Sequence, residues 1–327
     1  VRLLGFGLTG LVVLLALISL VLGPAAIGPA ESLYALFTDT GTPLTLVMRE
    51  IRLPRMVLAL GIGASLGLSG AAMQGYLRNP LADPGLIGVS ASAALGAVLA
   101  IQTGIAAHFA FGLPLCALAG AVVGVSLVML LAGPRGSSLT LILAGIAISS
   151  LAAAFTSLVL NLSPNPFAAN EIVFWMMGSL SDRSMSHVWL ALPLMVVGWA
   201  LLGSLGRSLD ALTLGEDAAE AMGIGLRRVR WQVVLGTAAA VGAATAVAGA
   251  IGFVGLVVPH ILRPLVGARP GALLWASALG GAAMLLASDV AVRVVLPSGD
   301  LKLGVVTALV GAPLFLHLIY RTRREMA

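Results

Sequence analysis

Residues 56–76 read MVLALGIGASLGLSGAAMQGY, a helix-length run without one charged side chain. Working outward from it, only Arg78, Asp83 and Arg135 carry charge between Met56 and Glu171, in two short gaps between long apolar stretches. A charged side chain at a bilayer centre costs about 2.5–3.5 kcal/mol even on insertion scales, so spacing this sparse is what repeated membrane crossing imposes. The whole chain of 327 residues agrees: 59% apolar, 9% charged, 40 glycines and a mean hydropathy of +1.07. A soluble domain carries about a quarter charged residues, whereas lipid-facing helices need none and use glycine for close approach. The expected fold class is all-α and membrane-embedded, one transmembrane domain over 1–327. With a single cysteine, Cys116, no disulfide can form within the chain, and its apolar setting suits a buried thiol.

Measured against the roughly 20 residues that a crossing helix needs, spans fall near 3–23, 53–76, 86–104, 110–132, 138–162, 187–206, 230–250, 252–268, 271–291 and 301–320. Ten crossings put both ends on one side. The run from Leu3 to Leu22 leads straight into further spans and reads as a retained helix rather than a signal peptide. The pair meeting at Ala250-Ile251-Gly252-Phe253 has no polar break, so a bend or re-entrant segment at Gly252 is the alternative to a split. With the amino terminus inside, twelve of the 18 Lys and Arg lie inside, among them Arg78, Arg135 and the clusters at 227–230 and 321–324, and six lie outside. That ratio satisfies the positive-inside rule and makes both termini cytoplasmic. The net charge of +5 therefore reports topology, not an affinity for nucleic acid.

The largest inside loop runs from about Gly206 to Arg230, and the largest outside loops cover about 24–51 and 163–186. In the second of these, Ser163-Pro164-Asn165-Pro166 breaks the helix, and Glu171 to Leu180 reads as a short helix with Trp175, Met176 and Met177 at the interface. The spans lack the acids and bases that ion-coupled transport requires. His260 and His317 sit near span ends, and Asp289 with Arg293 lies at the outer end of span nine. The one lysine, Lys302 in Pro297-Ser298-Gly299-Asp300-Leu301-Lys302, has neither the spacing nor the preceding strand of a phosphate-binding loop. No ATP site and no catalytic constellation is encoded, and no paired metal ligands appear. Uphill transport by this chain would need another polypeptide to supply the work; a secondary transporter or passive channel acting alone is the rival class.

The inside loop carries the strongest local signals. Thr213 followed by Glu216 is a capping box, and Asp217 adds negative charge where a helix dipole favours it. A short helix is expected to run to about Met222, with Gly223 ending it in a left-handed conformation and Gly225 permitting a second turn. Ala218, Ala219 and Met222 would give it a small apolar surface for a groove on a soluble partner.

This loop, with its glutamate-alanine-alanine content ending in glycine, resembles the coupling loop through which importer permeases contact their ATPase subunits. Further stretches point the same way: Arg52-Leu-Pro-Arg55, Gly70-Ala-Ala-Met-Gln74, Asn79-Pro-Leu-Ala-Asp-Pro-Gly85 leading to Gly88-Val-Ser90, Trp175-Met-Met-Gly178, Gly249 through His260 to Arg263, and Gly304 through Pro313. Together they are similar to the FecCD-type permeases of binding-protein-dependent ABC importers, which take up cobalamin, heme and ferric siderophores. The likeness spans about 50 to 320.

The resemblance implies a type II importer permease of ten helices in a bacterial inner membrane. It would pair with a second copy of itself around a central pathway, above two ATPase subunits that hold ATP and Mg and below a periplasmic or extracellular substrate-binding protein. The chain itself would be no enzyme and bind no cofactor, and its remaining contacts would be with membrane lipid, none with nucleic acid. Heme or a ferric siderophore is the expected cargo, with cobalamin the alternative. The implied ATPase-coupling residues are Gly215, Glu216, Asp217, Ala218, Ala219, Met222 and Gly223. Arg52, Arg55 and Arg293 match positions that receive acidic residues of the binding protein; snorkelling to headgroups, or pairing with Glu50 and Asp289, is the plainer reading of the same residues. Asn79 and Leu81, with Ser137 and Ser138 in the neighbouring turn, are the implied cytoplasmic gate. Gly63 and Gly67 form a small-xxx-small pair that lets helices approach rather than touching solute.

Overall fold

A computed structural model describes residues 2–23, 28–38, 41–133, 137–295 and 301–326, the side chains of 318, 319 and 321–326 excepted. Arg135, residues 297–300 and the side chains of Arg321, Arg323 and Arg324, which entered the reading of charge and motif above, thus lie outside the described residues. The principal helices are α1 (Arg2–Val21), α2 (Leu53–Tyr76), α3 (Val89–Gln102), α4 (Gly112–Ala132), α5 (Ser138–Asn161), α6 (Met185–Gly203), α7 (Leu226–Ala248), α8 (Val254–Leu262), α9 (Pro270–Val295) and α10 (Leu303–Met326). Short helical turns connect them. Among the described residues seven helices are long and apolar enough to cross a membrane, those that contain α1, α2, α4, α5, α6, α7 and α9. Helix α3 and the apolar part of α10, Leu303–His317, are shorter.

Helix α2 is the centre of the bundle and is buried along most of its length, while α1 lies at the edge with little of its surface covered. The difference is written in side-chain size. Gly63 and Gly67 of α2 face Gly281 and Ser277 of the antiparallel α9 so closely that a methyl group at either position would overlap a carbonyl of the facing helix. The expectation that this pair serves helix approach is therefore met in the structure, since small residues substitute backbone contact for the hydrophobic drive that lipid does not provide. Gly10 of α1, by contrast, has open space where its side chain would be.

The eighth crossing is not one helix. Helix α7 ends at Ala248, Gly249 (φ 75°) turns the chain, and residues 249–253 run without helical structure before α8 begins. Nine residues at 1.5 Å rise give α8 a length of about 14 Å, roughly half the hydrocarbon thickness. The span expected over 252–268 is thus a non-helical stretch followed by a half-helix, which bears out the alternative of a bend at the glycines. Bulky Phe253 sits at the N-cap with φ 68°, a left-handed conformation rare for such a residue.

Contacts fix the directions of α1, α2 and α9. At one end, the arginine end, Arg52 at the start of α2 and Arg293 near the end of α9 meet the last residues of α1. At the opposite end, the loop end, Leu209 and Pro270 pack on Gly75 near the close of α2, and Asp210 accepts a hydrogen bond from the Gly271 backbone at the start of α9. Helix α1, whose last turn meets the arginine end, begins toward the loop end. A second correction concerns the short helix expected over 171–180: it spans Pro166–Met176, because Asn165 caps it by accepting from the Phe167 N–H and Gly178 (φ 73°) follows its end.

Candidate functional site

At the arginine end, the last turn of α1 exposes carbonyls that have no partner within the helix. Arg52 donates to the carbonyls of Leu20 (2.9 Å) and Val21 (2.7 Å), and Arg293 donates to those of Ser19 (2.8 Å) and Leu22 (2.8 Å) and to the Ser19 hydroxyl (2.6 Å). Asp289, fully buried one turn before Arg293, ties the cluster together. Its Oδ1 lies 2.8 Å from Arg55 Nε; its Oδ2 lies 2.8 Å from Arg293 Nη2, an ion pair set off the hydrogen-bond axis. The arginines are therefore at one end and in one cluster, with Arg55 and Arg293 paired with Asp289 as the plainer reading had it, while Arg52 and Arg293 also turn inward onto backbone that sequence could not assign to them. Arg55 keeps part of its side chain exposed.

The resemblance-bearing stretches come together around α8. Gly255 at its start packs against Gly70, and Pro84 of the 79–88 loop packs on Gly255. Gln74 Nε2 donates to the Leu256 carbonyl (3.2 Å), and its Oε1 accepts from Arg263 Nη2 (2.7 Å), so one amide side chain of α2 holds both ends of the half-helix. Phe253 packs on Gly311 of α10. Nearby, Trp175, Met177 and Gly178 cross the 249–250 backbone and Gly304 at near-contact distance, with Ser179 N–H donating to the Ala248 carbonyl (2.8 Å) and Gly304 N–H to that of Gly178 (3.3 Å). Trp175, expected at the interface, is buried beneath this crossing; Met176 stays exposed.

The implied gate residues lie at the loop end. Asn79 Oδ1 accepts from the Leu81 N–H (2.9 Å), closing a turn that leaves Leu81 exposed, and Asp83 Oδ1 accepts from the Gly85 N–H (2.7 Å). Burial pushes the Asp83 carboxyl above its ordinary range, partly offset by that hydrogen bond. Ser137 caps α5 by accepting from the Thr140 N–H, and Ser138 lies beside the Tyr76 hydroxyl at the close of α2. Tyr76 thus sits next to the second half of the candidate gate, a proximity that its place in an apolar run concealed.

Beside it lies the 206–225 loop. Its second helix spans Glu216–Ala221, and the expected capping box is absent: Gly215 occupies the N-cap, while the Thr213 hydroxyl donates to the Asp210 carbonyl (2.6 Å) and completes the preceding helix, Gly206–Leu212. The end is as expected. Gly223 takes φ 84°, its N–H donates to the Glu220 carbonyl, and the Ile224 N–H donates to that of Ala219. Of the expected apolar face, Ala219 is buried against the bundle, Ala218 is half-buried and Met222 is exposed, joined by exposed Leu214. A six-residue helix makes fewer than two turns, so each side carries only one or two side chains, and Ala219 falls on the inward side. Glu216 reaches Arg78 at 3.8 Å between exposed side chains, a pair worth at most about 1 kcal/mol.

Among the described residues no group of three His, Cys, Asp or Glu side chains could hold a metal ion. What the arrangement can do is mechanical: a surface loop packed on the ends of α2 and α9, which in turn clamp a half-helix. Residues 11–321 match the model of the FecCD transport family. The chain is 38% identical to the vitamin B12 import system permease protein BtuC of Klebsiella pneumoniae over 97% of its own length and 93% of that protein's. It is 37% identical to the Fe(3+) dicitrate transport system permease protein FecD of Escherichia coli, covering 88% and 90%. The solved structure of a metal-chelate type ABC transporter in an inward-facing conformation superposes with a TM-score of 0.87 at 35% identity, covering 98% of this chain and 100% of that one.

Proposed function

The chain belongs to the FecCD transport family of ABC importer permeases, and on that premise we propose that it carries heme or a ferric siderophore inward by alternating access, driven by separate ATPase subunits. The observation that carries the reading is the mechanical continuity from loop to half-helix. The loop packs through Leu209 on Gly75 and through Asp210 on Gly271, at the ends of α2 and α9, and Gln74 of α2 grips α8 at Leu256 and Arg263. Motion of an ATPase beneath Leu214 and Met222 would be delivered through packed backbone to the discontinuous crossing. Such crossings move as bodies between arrangements more readily than a continuous helix bends.

The remaining assignments belong to the same proposal. The coupling surface is Gly215 to Gly223, with Glu216 and Asp217 beside exposed Met222 and with Ala218 and Ala219 setting how the helix seats. Asn79, Leu81, Ser137 and Ser138 form the inner gate of a pathway shared with a second copy, within one permease domain. At the arginine end Arg52, Arg55 and Arg293 outnumber Asp289. An acidic side chain of a binding protein arriving there would compete with Asp289 for Arg55, which orients docking and speeds encounter more than it adds affinity. An iron chelate is supported by the likeness to the dicitrate permease and to the metal-chelate transporter; cobalamin is the second reading, favoured by the identity to BtuC.

The cargo is tested by copurifying the chain with its binding protein and recording the visible spectrum of what the binding protein holds. A porphyrin Soret band or a ferric charge-transfer band is expected. A corrin spectrum contradicts the iron reading and leaves the permease assignment intact.

A further inference from the structure

Helix α2 closes in a turn that glycine normally makes. The Asn79 N–H donates to the Gln74 carbonyl (3.1 Å) and the Arg78 N–H to that of Gly75 (3.4 Å), the paired bonds of a helix end whose left-handed residue is 78. Glycine is the usual occupant because a Cβ strains that conformation, yet here φ 50° is held by an arginine. A strained position kept by a bulky charged residue points to a use for its side chain. That side chain reaches out of the turn to Glu216, the first residue of the Glu216–Ala221 helix, at 3.8 Å. Its backbone leads directly into Asn79 and Leu81. Two residues earlier, the Tyr76 hydroxyl lies beside Ser138 and within electrostatic reach of Glu216. The surface loop and both parts of the candidate gate thus meet at the end of α2, at the residue whose turn aims the 79–88 loop.

We propose that Arg78 is the latch between coupling helix and gate, a positioning residue whose ion pair to Glu216 ties the 79–88 loop to the Glu216–Ala221 helix once an ATPase subunit lies over them. The inference rests on the coupling and gate assignments made above and adds the residue that joins them. In the free chain both side chains are about half exposed, and water screens the pair. An ATPase seated on Gly215 to Gly223 excludes that water. A covered pair is costly to separate, because each charge is then left uncompensated, so the two segments move together. When the helix shifts, the pull acts on a left-handed turn that an arginine leaves readily for the right-handed region. Losing that conformation releases the Asn79 and Arg78 N–H bonds and swings the loop that carries Asn79 and Leu81. The turn is a two-position joint with its lever arm in the ion pair.

The test follows the gate directly and needs no cargo. The full-length chain carrying Cys116→Ser, which removes its one thiol, and Leu81→Cys, at an exposed position, is assembled with its ATPase subunits in lipid nanodiscs. The rate of labelling by fluorescein maleimide is compared without nucleotide and with ATP plus vanadate. With Arg78 and Glu216 in place, the two rates are expected to differ about tenfold or more, as a two-state gate moved from one side of its equilibrium to the other requires. Arg78→Gln should reduce the ratio to about twofold or less, and Glu216→Gln should do the same. Their combination should lose no more than either alone, the non-additivity of two residues acting as one pair. Arg78→Gly separates side chain from turn: it suits the left-handed conformation better and should leave the melting temperature at least as high, yet lose the nucleotide response as Arg78→Gln does. Should Glu216→Gln fail to assemble, judged by gel filtration, the two Arg78 variants carry the test alone. A response kept in Arg78→Gln or Arg78→Gly overturns the latch and leaves the importer reading intact, as do losses that multiply in the double variant. Equal rates in both nucleotide states with the native pair overturn the gate at Leu81, and the latch with it.

Discussion

Asp83 shows how one side chain beside the candidate gate reports on its surroundings. Burial holds its carboxyl above the ordinary range, so the folded chain binds that proton more tightly than the unfolded one. Its contribution to stability is complete below the unfolded carboxyl range and is lost as pH rises through the raised value. Asp83→Asn keeps an oxygen acceptor for the Gly85 N–H and removes the titration. Melting temperatures in detergent across that acidic-to-neutral window should fall for wild type relative to the variant; parallel profiles would contradict the burial. Gly67 makes the complementary case for shape. A methyl group there meets the Ser277 carbonyl, which is backbone and cannot rotate away, so Gly67→Ala should cost about 1–3 kcal/mol in reversible unfolding. Gly10→Ala on open α1 should be neutral or stabilising. Equal effects at the two positions would mean that α2 and α9 are not in backbone contact. The pair at 63 and 67 was legible from spacing. The residue it meets was not, because nothing local in α2 encodes a partner some two hundred positions away.

At the scale of elements, long apolar runs with sparse charge declare the crossing helices plainly, and their boundaries fall close to where glycine, proline and serine signals put them. The broken eighth crossing was only half legible. Ala250-Ile251-Gly252-Phe253 is apolar whether it bends or continues, and the deciding interactions, Gly249 under Trp175 and Phe253 on Gly311, come from distant segments. The arginine end has the same limit: residue type and end could be read, but the carbonyls of α1 that absorb Arg52 and Arg293 are tertiary partners. The loop helix Glu216–Ala221 was anticipated in place and in its glycine stop, though not in its cap. Its role is tested by Ala219→Pro. Proline removes the Ala219 N–H bond to Gly215 and clashes with that carbonyl, costing about 3 kcal/mol in a helix this short. ATP hydrolysis by the assembled complex should continue while uptake falls at least tenfold, with the bundle still folded by circular dichroism and gel filtration. Undiminished uptake would remove the loop from the coupling route.

For the whole molecule, an apolar bundle holds a half-helix between α2, α9 and α10, and one surface loop packs on the ends of α2 and α9. Family membership fixes the class of machine, and the proposed coupling route adds where force would enter and what it would move. The most direct test is uptake into proteoliposomes that contain the chain alone, the chain with its ATPase subunits and ATP, or the same assembly with a non-hydrolysable nucleotide, each supplied with loaded binding protein. Accumulation against the gradient should occur only in the complete, hydrolysing assembly. Concentrative uptake by the chain alone, driven by a proton or sodium gradient, would contradict the central claim.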